Sequence, residues 1–364
     1  MFDEKINLSR RGFVKTVGGV AGAAAAHGLA LASAADGRQA ESNGRRGNQR
    51  LSLERLQQYE SLGYGMFISF DVAAFSDFNF LDILGKDLPD EKRQVPATVY
   101  APDRLNVDQW ISVARDAGMK YAVLTAKRYP GFCLWPSKHT DYTVANSGNK
   151  TDVVETFVEA CAKRGVLPGL YYNPLDIHHR FGRSPKDDWK CTTSEYQTFL
   201  TAQITELLTS YGPIAEMWFD NPFVLNRGYR TCLYEHVSRL QPNAVIMMSS
   251  SGRGAEFERH LDRYWPSDLI AMEQRKPIKS KHRKWRMIEG SEYYMPGEVC
   301  DSMMPSWWWR KDEKPRPDQE VLAQFQACRE AGMNFLLDAP PDNHGLIPQT
   351  TVDALMRLRR SAGI

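Results

Sequence analysis

Eight short apolar runs, each followed by a stretch with helical spacing, dominate the chain from residue 60 onward. They fall at residues 65–70, 121–125, 167–172, 216–220, 245–249, 269–273, 287–292 and 334–338. Nearly continuous apolar character suits strands buried on both faces of a parallel sheet. The segments between them carry helix-period stripes. Trp110, Val113, Ala114 and Ala117 stand at i, i+3, i+4 and i+7, and Val154, Phe157, Val158 and Cys161 repeat the spacing. Leu200, Ile204, Leu207, Leu208 and Tyr211 make a third stripe, with Ser194 and Gln197 spaced as a capping box ahead of it. Gly118, Gly165 and Gly332 each close a helical stretch just before a strand, where a left-handed residue is wanted. This repetition predicts an α/β fold, a (β/α)8 barrel. The alternative is an open doubly wound sheet, but no glycine-rich nucleotide loop follows the first strand.

The N-terminal segment has a different character. Ser9-Arg10-Arg11-Gly12-Phe13-Val14-Lys15 precedes a Gly/Ala-rich run over residues 17–32, and Ala32-Ser33-Ala34 follows as a small-residue cleavage pattern. Residues 1–34 thus predict a twin-arginine signal, with export of the folded protein to the periplasm or beyond. An amphipathic first helix with a chance arginine pair is the alternative. Residues 35–50 are polar and Gly/Arg/Asn-rich and read as a linker. The barrel is expected over residues 51–364. With 46 Lys and Arg against 44 Asp and Glu, a net charge of +2 offers no electrostatic case for nucleic acid or an anionic membrane. The apolar run before residue 35 is too weak for a membrane span. The six cysteines show no C-x-x-C pair and no metal spacing, so no metal or cofactor is expected. Nothing in the sequence sets an oligomeric state.

In a barrel, chemistry gathers at the C-terminal ends of the strands. Asp220 ends Met217-Trp218-Phe219-Asp220, and Glu273 ends Leu269-Ile270-Ala271-Met272-Glu273. An acid after large apolar residues belongs at the barrel mouth, because an unpaired buried charge is unfavourable. A helix N-cap or an ion-pair partner is the other role open to Asp220. Glu289 and Glu292 lie on the next expected strand, and Glu298 in the loop beyond it. Two facing carboxylates suit glycoside hydrolysis, one as nucleophile and one as acid/base. Nine tryptophans, among them Trp218 and the run Trp307-Trp308-Trp309, supply rings for stacking sugar faces or, equally, for packing barrel against helices. His178-His179 have no third ligand spaced to join them in a metal site.

These residues bring out a resemblance to the α-L-fucosidases of glycoside hydrolase family 29, nearest the branch acting on α-1,3/1,4-linked fucose. It runs from about residue 60 to 350. The stretch Leu105-Asn106-Val107-Asp108-Gln109-Trp110 through Gly118-Met119-Lys120 is similar to the family's first αβ unit. Gly131-Phe132-Cys133-Leu134-Trp135-Pro136, Leu170-Tyr171-Tyr172-Asn173-Pro174, Trp218-Phe219-Asp220 and Leu336-Leu337-Asp338-Ala339-Pro340-Pro341 follow in the family's order. The resemblance implies Asp220 as nucleophile and Glu273 as acid/base, without a cofactor. It implies that Glu298, Trp307, Trp218 and Tyr171 face the sugar. The family often appends a C-terminal β-sandwich; here Ile364 directly follows the last expected helix, so a single catalytic domain without one is expected.

Two blocks depart from the family pattern. Ser69, in Phe67-Ile68-Ser69, stands where members usually have His, and Lys127-Arg128-Tyr129-Pro130-Gly131-Phe132 replaces Lys-His-His-Asp-Gly-Phe. Ser69, Lys127, Arg128 and Tyr129 are therefore the expected sugar readers, with altered chemistry. A permanently charged guanidinium only donates, whereas neutral His both donates and accepts. Arg128 would favour a carboxylate or sulfate. The function implied is a retaining exo-glycosidase acting on a terminal α-L-fucoside or a modified sugar, its partner a glycan or small glycoside. Set against it are a catalytically silent carbohydrate-binding barrel and a barrel enzyme of other chemistry.

Overall fold

The computed structural model describes residues 45–76, 95–181, 193–248, 265–273, 276–279 and 281–364. The expected signal segment, the first part of the linker and Cys191 lie outside these residues. In chain order the elements are β1 (Arg45–Arg46), α1 (Leu53–Glu60), β2 (Tyr64–Ile68), α2 (Val107–Asp116), β3 (Tyr121–Lys127), α3 (Val153–Arg164), β4 (Leu167–Tyr172), α4 (Ser194–Ser210), β5 (Glu216–Phe219), α5 (Arg227–Leu240) and β6 (Val245–Met247). They continue with β7 (Ile270–Glu273), β8 (Trp285–Ile288), β9 (Ser291–Tyr294), β10 (Gly297–Ser302), α6 (Asp318–Ala331), β11 (Asn334–Asp338) and α7 (Gln349–Ala362).

Eight strands form one parallel sheet in the order β6-β5-β4-β3-β2-β11-β10-β7. The edge strands β6 and β7 are brought together by one backbone bond and by side chains. The Asp268 amide donates to the Ile246 carbonyl at 2.8 Å, and Asp268 Oδ2 accepts the Ile246 amide at 2.8 Å. Ser267 Oγ accepts the Met248 amide at 3.0 Å. Buried Asp268 is itself held by Arg50 and Tyr234. Arg50 is thus part of the barrel wall rather than of a free linker, and β1 pairs with β9.

The continuous apolar runs now have a cause. Met66, Leu124, Leu170, Met217, Ile246 and Phe335 pack in the large cluster shared with the helices. Their strand neighbours Phe67, Val123, Tyr171, Trp218, Met247 and Leu336 fill a second cluster, the barrel interior. Alternate residues face opposite ways, so strands wetted on neither side carry no polar alternation. Leu56 and Tyr59 of α1 join the interior cluster and plug the barrel floor. Gly118, Gly165 and Gly332 have φ of 88°, 69° and 70°, the expected left-handed helix ends. The cap of α4 is Thr193, whose side chain accepts the Tyr196 amide, not Ser194.

The seventh barrel strand differs from expectation. Residues 287–292 are the middle of a β8–β9 hairpin, turned by Glu289 and Gly290 with φ of 52° and 80°. Two consecutive positive φ values are the two-residue turn that suits hairpin twist. The barrel strand is β10, which carries Glu298 on it rather than in a loop. Among the described residues no helix is long and apolar enough to cross a membrane.

Candidate active site

A cavity of about 290 Å³ opens where the barrel strands end. Phe67 and Ser69 reach it from the end of β2, Arg128 and Tyr129 from β3, Tyr171 from β4, and Trp218, Asp220 and Asn221 from β5. Ala271, Met272 and Glu273 line it from β7, Cys300 from β10, and Trp307 and Trp308 from the segment after β10. Both expected catalytic carboxylates therefore share one space.

Asp220 is bound on both oxygens. Oδ2 accepts from the Tyr171 hydroxyl at 2.6 Å and from Asn173 Nδ2 at 3.1 Å. Oδ1 accepts the Asn221 amide at 2.8 Å, which is possible because Asn221 sits at φ 48°. Asn tolerates that left-handed conformation better than most residues. Burial pushes the Asp220 pKa up, while Tyr171, Asn221 and Arg128 pull it back. Glu273 Oε1 accepts from Trp307 Nε1 at 2.9 Å. The floor is aromatic: Tyr171 stacks on Trp218 at 5.3 Å, and Phe67 meets Tyr171 edge-on at 5.5 Å. Such rings offer flat apolar faces beside the two carboxylates.

Arg128 is only 6 % exposed and its Nη1 lies 3.4 Å from Asp71 Oδ2. Its guanidinium lies over the rings of Tyr129 and Trp308, at 5.3 and 5.0 Å. Burial disfavours its charge, but Asp71 and the surrounding groups more than offset this. Burial likewise drives the Tyr129 phenol up to about 12. The Ser69 amide donates to Asp338 Oδ1 at 3.0 Å. Buried Asp338 is pushed up to about 8, against the pull of its hydrogen bonds from Ser69.

Two expected sugar readers lie elsewhere. Lys127 turns away from the cavity, and its Nζ is 3.1 Å from Asp176 Oδ2, with both side chains fully buried. The ammonium cannot face solvent and the apolar wall at once, so it sits with its counter-charge. Glu298 lies below the floor, where Tyr59 and Tyr121 donate to it at 2.7 Å and Trp218 Nε1 at 3.0 Å. It supports Trp218 from behind. Glu289 and Glu292 pair with Arg227 and Arg46 on the hairpin, away from the cavity. Glu273 is thus the one of the four candidate glutamates that lines it.

His179 bridges Asp176 and Thr140, and His178 stacks on Tyr142 at 4.1 Å. Among the described residues no group of three or more His, Cys, Asp or Glu is placed to hold a metal. Asn173, Asn221 and Phe67 were not picked out from the sequence as site residues, and Trp308 only as a member of the tryptophan run. All but Trp308 lie on or just past strand ends, the signal that located Asp220, but none titrates.

A family model described as alpha-L-fucosidase matches residues 50–360. Alpha-L-fucosidase 1 of Arabidopsis thaliana is 31% identical over 312 residues, 82% of this chain and 57% of that protein. Tissue alpha-L-fucosidase of Mus musculus is 26% identical over 247 residues, 66% of this chain and 51% of that protein. The chain thus spans about half the length of these relatives. Alpha-L-fucosidase isoenzyme 1 from Paenibacillus thiaminolyticus superposes with a TM-score of 0.67 at 26% identity, over 85% of this chain and 75% of that one. An alpha-L-fucosidase from Lactobacillus casei in complex with alpha-L-fucose product gives 0.66 at 20% identity, over 85% and 98%. At that identity it shows a common fold alone.

Proposed function

The chain belongs to the α-L-fucosidase family, glycoside hydrolase family 29, and from that premise we propose a retaining exo-glycosidase that removes terminal α-L-fucose, or a modified form of it, from glycans. One observation carries this reading: Asp220 and Glu273 line the same cavity at the ends of two barrel strands. In this mechanism the Asp220 carboxylate attacks the anomeric carbon while Glu273 gives its proton to the departing glycosidic oxygen. Water then adds its hydroxide to the anomeric carbon and its proton to Glu273, and Asp220 leaves as carboxylate. The two carboxyl groups work at about 5–5.5 Å in such a double displacement. Tyr171, Asn173 and Asn221 fix the nucleophile's orientation, and Trp307 fixes that of the acid. Keeping both carboxylates in one cavity favours an enzyme over a silent sugar-binding barrel.

Within the family we assign the chain to the α-1,3/1,4 branch, on the block ending at Glu273. Ser69, Arg128 and Tyr129 line the cavity in place of the family's histidines, so we propose an altered sugar reader. A charged hydrogen bond from Arg128 to an anionic substituent is worth roughly 1.5–3 kcal/mol. Aryl α-L-fucosides, plain and sulfated, offered to wild type, Asp220→Ala and the double variant Arg128→His with Tyr129→His test both ideas. We expect Asp220→Ala to lose several orders of magnitude in kcat, as removal of a nucleophile does. Wild type should favour the sulfated glycoside, and the double variant should gain on the plain one. Sugar binding without turnover of any glycoside would sink the enzyme reading. Faster plain-fucoside turnover by wild type than by the double variant would sink the altered reader. The first-formed sugar should keep the α configuration by NMR.

We also propose twin-arginine export, on Arg10-Arg11 with Phe13 and Lys15. Replacing both arginines by lysine should hold the protein in the cytoplasm on fractionation; unchanged export contradicts this.

A further inference from the structure

Lys127 is charged, wholly buried and outside the lining of the active cavity. The path of β3 explains how it comes to lie there. Tyr121 and Val123 point into the barrel interior, and Ala122, Leu124 and Ala126 into the cluster shared with the helices. Strict alternation would send Lys127 inward and Arg128 outward. Instead the register against β4 slips between Thr125 and Lys127, which pair with the consecutive residues Tyr171 and Tyr172. Such a bulge re-aims the side chains beyond it. Lys127 therefore follows Ala126 to the outer side, its ammonium over the Tyr172 ring at 4.6 Å, and Arg128 turns into the cavity.

On the outer side the ammonium meets two oxygens. Asp176 Oδ2 lies 3.1 Å away, and the Asn173 carbonyl accepts from it at 3.2 Å. The Asn173 amide in turn donates to the Lys127 carbonyl at 2.8 Å. One residue thus holds both backbone groups of Asn173. The Asn173 side chain is fixed as well. Its Oδ1 accepts the Leu175 amide at 2.9 Å, which leaves Nδ2 to donate to Asp220 Oδ2 and to the Tyr171 hydroxyl, each at 3.1 Å. Asp176 is seated closely too. Its Oδ1 accepts the His179 amide at 2.9 Å, and a Cβ on Gly131 would stand 2.5 Å from that oxygen. Burial disfavours the Asp176 charge, but Lys127 and His179 more than offset this. A buried ion pair is a weak source of stability, since an apolar pair of similar volume often serves as well. The contact with Asn173 gives this one another use.

We propose that Lys127, seated on Asp176, is a positioning residue for the nucleophile: it fixes the Asn173 backbone so that Nδ2 meets Asp220 Oδ2. That Asp220 is the nucleophile rests on the glycosidase reading above. The ammonium lines no part of the cavity, so it acts on Asp220 through Asn173. A hydrogen bond to an ionised carboxylate favours that form, and it also restricts where the attacking oxygen points. A donor displaced by a fraction of an ångström does both less well. Tyr171, the Asn221 amide, Arg128 and Tyr129 also bear on Asp220, and all of them are kept in the variants below.

The test reads Asp220 itself. Its carboxyl is titrated by carbon NMR in protein labelled at aspartate, the signal being assigned by its loss in Asp220→Asn. Turnover of an aryl α-L-fucoside is measured alongside. The proteins are wild type, Asn173→Ala, the paired variant Lys127→Met with Asp176→Asn, and that pair combined with Asn173→Ala. The paired variant strands no buried charge, and Asp176→Asn keeps an oxygen for the His179 amide. A second pair, Lys127→Met with Asp176→Leu, is wholly apolar; either pair serves if the other does not fold, as thermal melts will show. Asn173→Ala removes the bond outright and should raise the Asp220 midpoint by about one to two pH units. The paired variant should raise it by at least about half a unit. It should also lower kcat about tenfold or more and leave KM within about twofold of wild type. Added to Asn173→Ala, the pair should move the midpoint no further, because two changes acting through one contact do not add. An unmoved midpoint in the paired variant, or shifts that add in the combination, overturns the proposal and leaves Lys127 and Asp176 as a structural pair. The titration is read without turnover, so failure of the glycosidase reading shows separately, as a wild type inactive on every aryl glycoside.

Discussion

Tyr171 joins the aromatic floor to the chemistry. Its ring stacks on Trp218 and its hydroxyl donates to Asp220 Oδ2 at 2.6 Å. A hydrogen bond to the ionised form favours ionisation, so this contact holds the Asp220 pKa below where burial alone would put it. As the proposed nucleophile, Asp220 must be ionised to attack, and its titration would then set the acidic limb of kcat/KM. Tyr171→Phe keeps the ring and removes the donor. A hydrogen bond to a charged group is worth about 1.5–3 kcal/mol, so the acidic limb should move up by about one to two pH units. A pH–rate profile checks this, and an unmoved limb would assign the hydroxyl to packing. At this scale the strand-end rule led to Asp220 and Glu273, and the family resemblance added Arg128, Tyr129, Ser69, Tyr171, Trp218 and Trp307; all of them reach the cavity. Neither separated Lys127 from Arg128. Neighbours at a strand end point opposite ways, and which of two cations turns inward depends on Asp176, 49 positions along the chain.

Among the elements, β10 was the least legible. Its sequence, Gly297-Glu298-Val299-Cys300-Asp301-Ser302, is polar at three of six positions, yet every residue is buried. Its carboxylates are satisfied by distant partners: Glu298 by Tyr59, Tyr121 and Trp218, and Asp301 by Arg316 at 2.8 Å. Local pattern cannot show partners that only the closed barrel brings near. The hairpin gave the opposite error, since Glu289-Gly290 is a turn inside an otherwise strand-like run. Arg50 escaped for the same reason as β10, because its partner Asp268 comes from the far edge of the sheet. That pair fastens β6 to β7, and Asp268 is buried at 2 % exposure beside an Arg50 side chain at 17 %. Removing one partner of a buried pair strands the other charge, at about 3–5 kcal/mol. Arg50→Ala should therefore lower unfolding stability by about that much in urea titration. A loss below about 1 kcal/mol would show that Tyr234 and the Ile246 amide suffice to hold Asp268.

Taken whole, burial raises more of the described acids than ion pairs lower, and this shapes how stability responds to pH. Burial raises Glu216, Glu298, Asp71, Asp268 and Asp338 above the usual carboxylate range. Fewer acids go the other way: burial opposes it, but Lys127 and His179 hold Asp176 low, and surface pairs lower Asp108 and Asp318. Asp338 offers the clearest handle. Its value is about 8 when folded and 3.8 as a free side chain. Between these values the folded chain keeps a proton that the unfolded chain has lost. Unfolding then releases the proton, so stability falls as pH rises, and levels off for this group above about pH 8. One such proton gives a slope of about 1.4 kcal/mol per pH unit. Asp338→Asn keeps an oxygen to accept the Ser69 amide and has nothing to ionise. Urea unfolding at pH 5, 6 and 7 should show wild-type stability declining more steeply than that of Asp338→Asn, by about 1.4 kcal/mol per unit. Equal slopes in the two proteins would mean that Asp338 is already ionised at pH 5, with Ser69, Ser302 and Arg128 outweighing its burial.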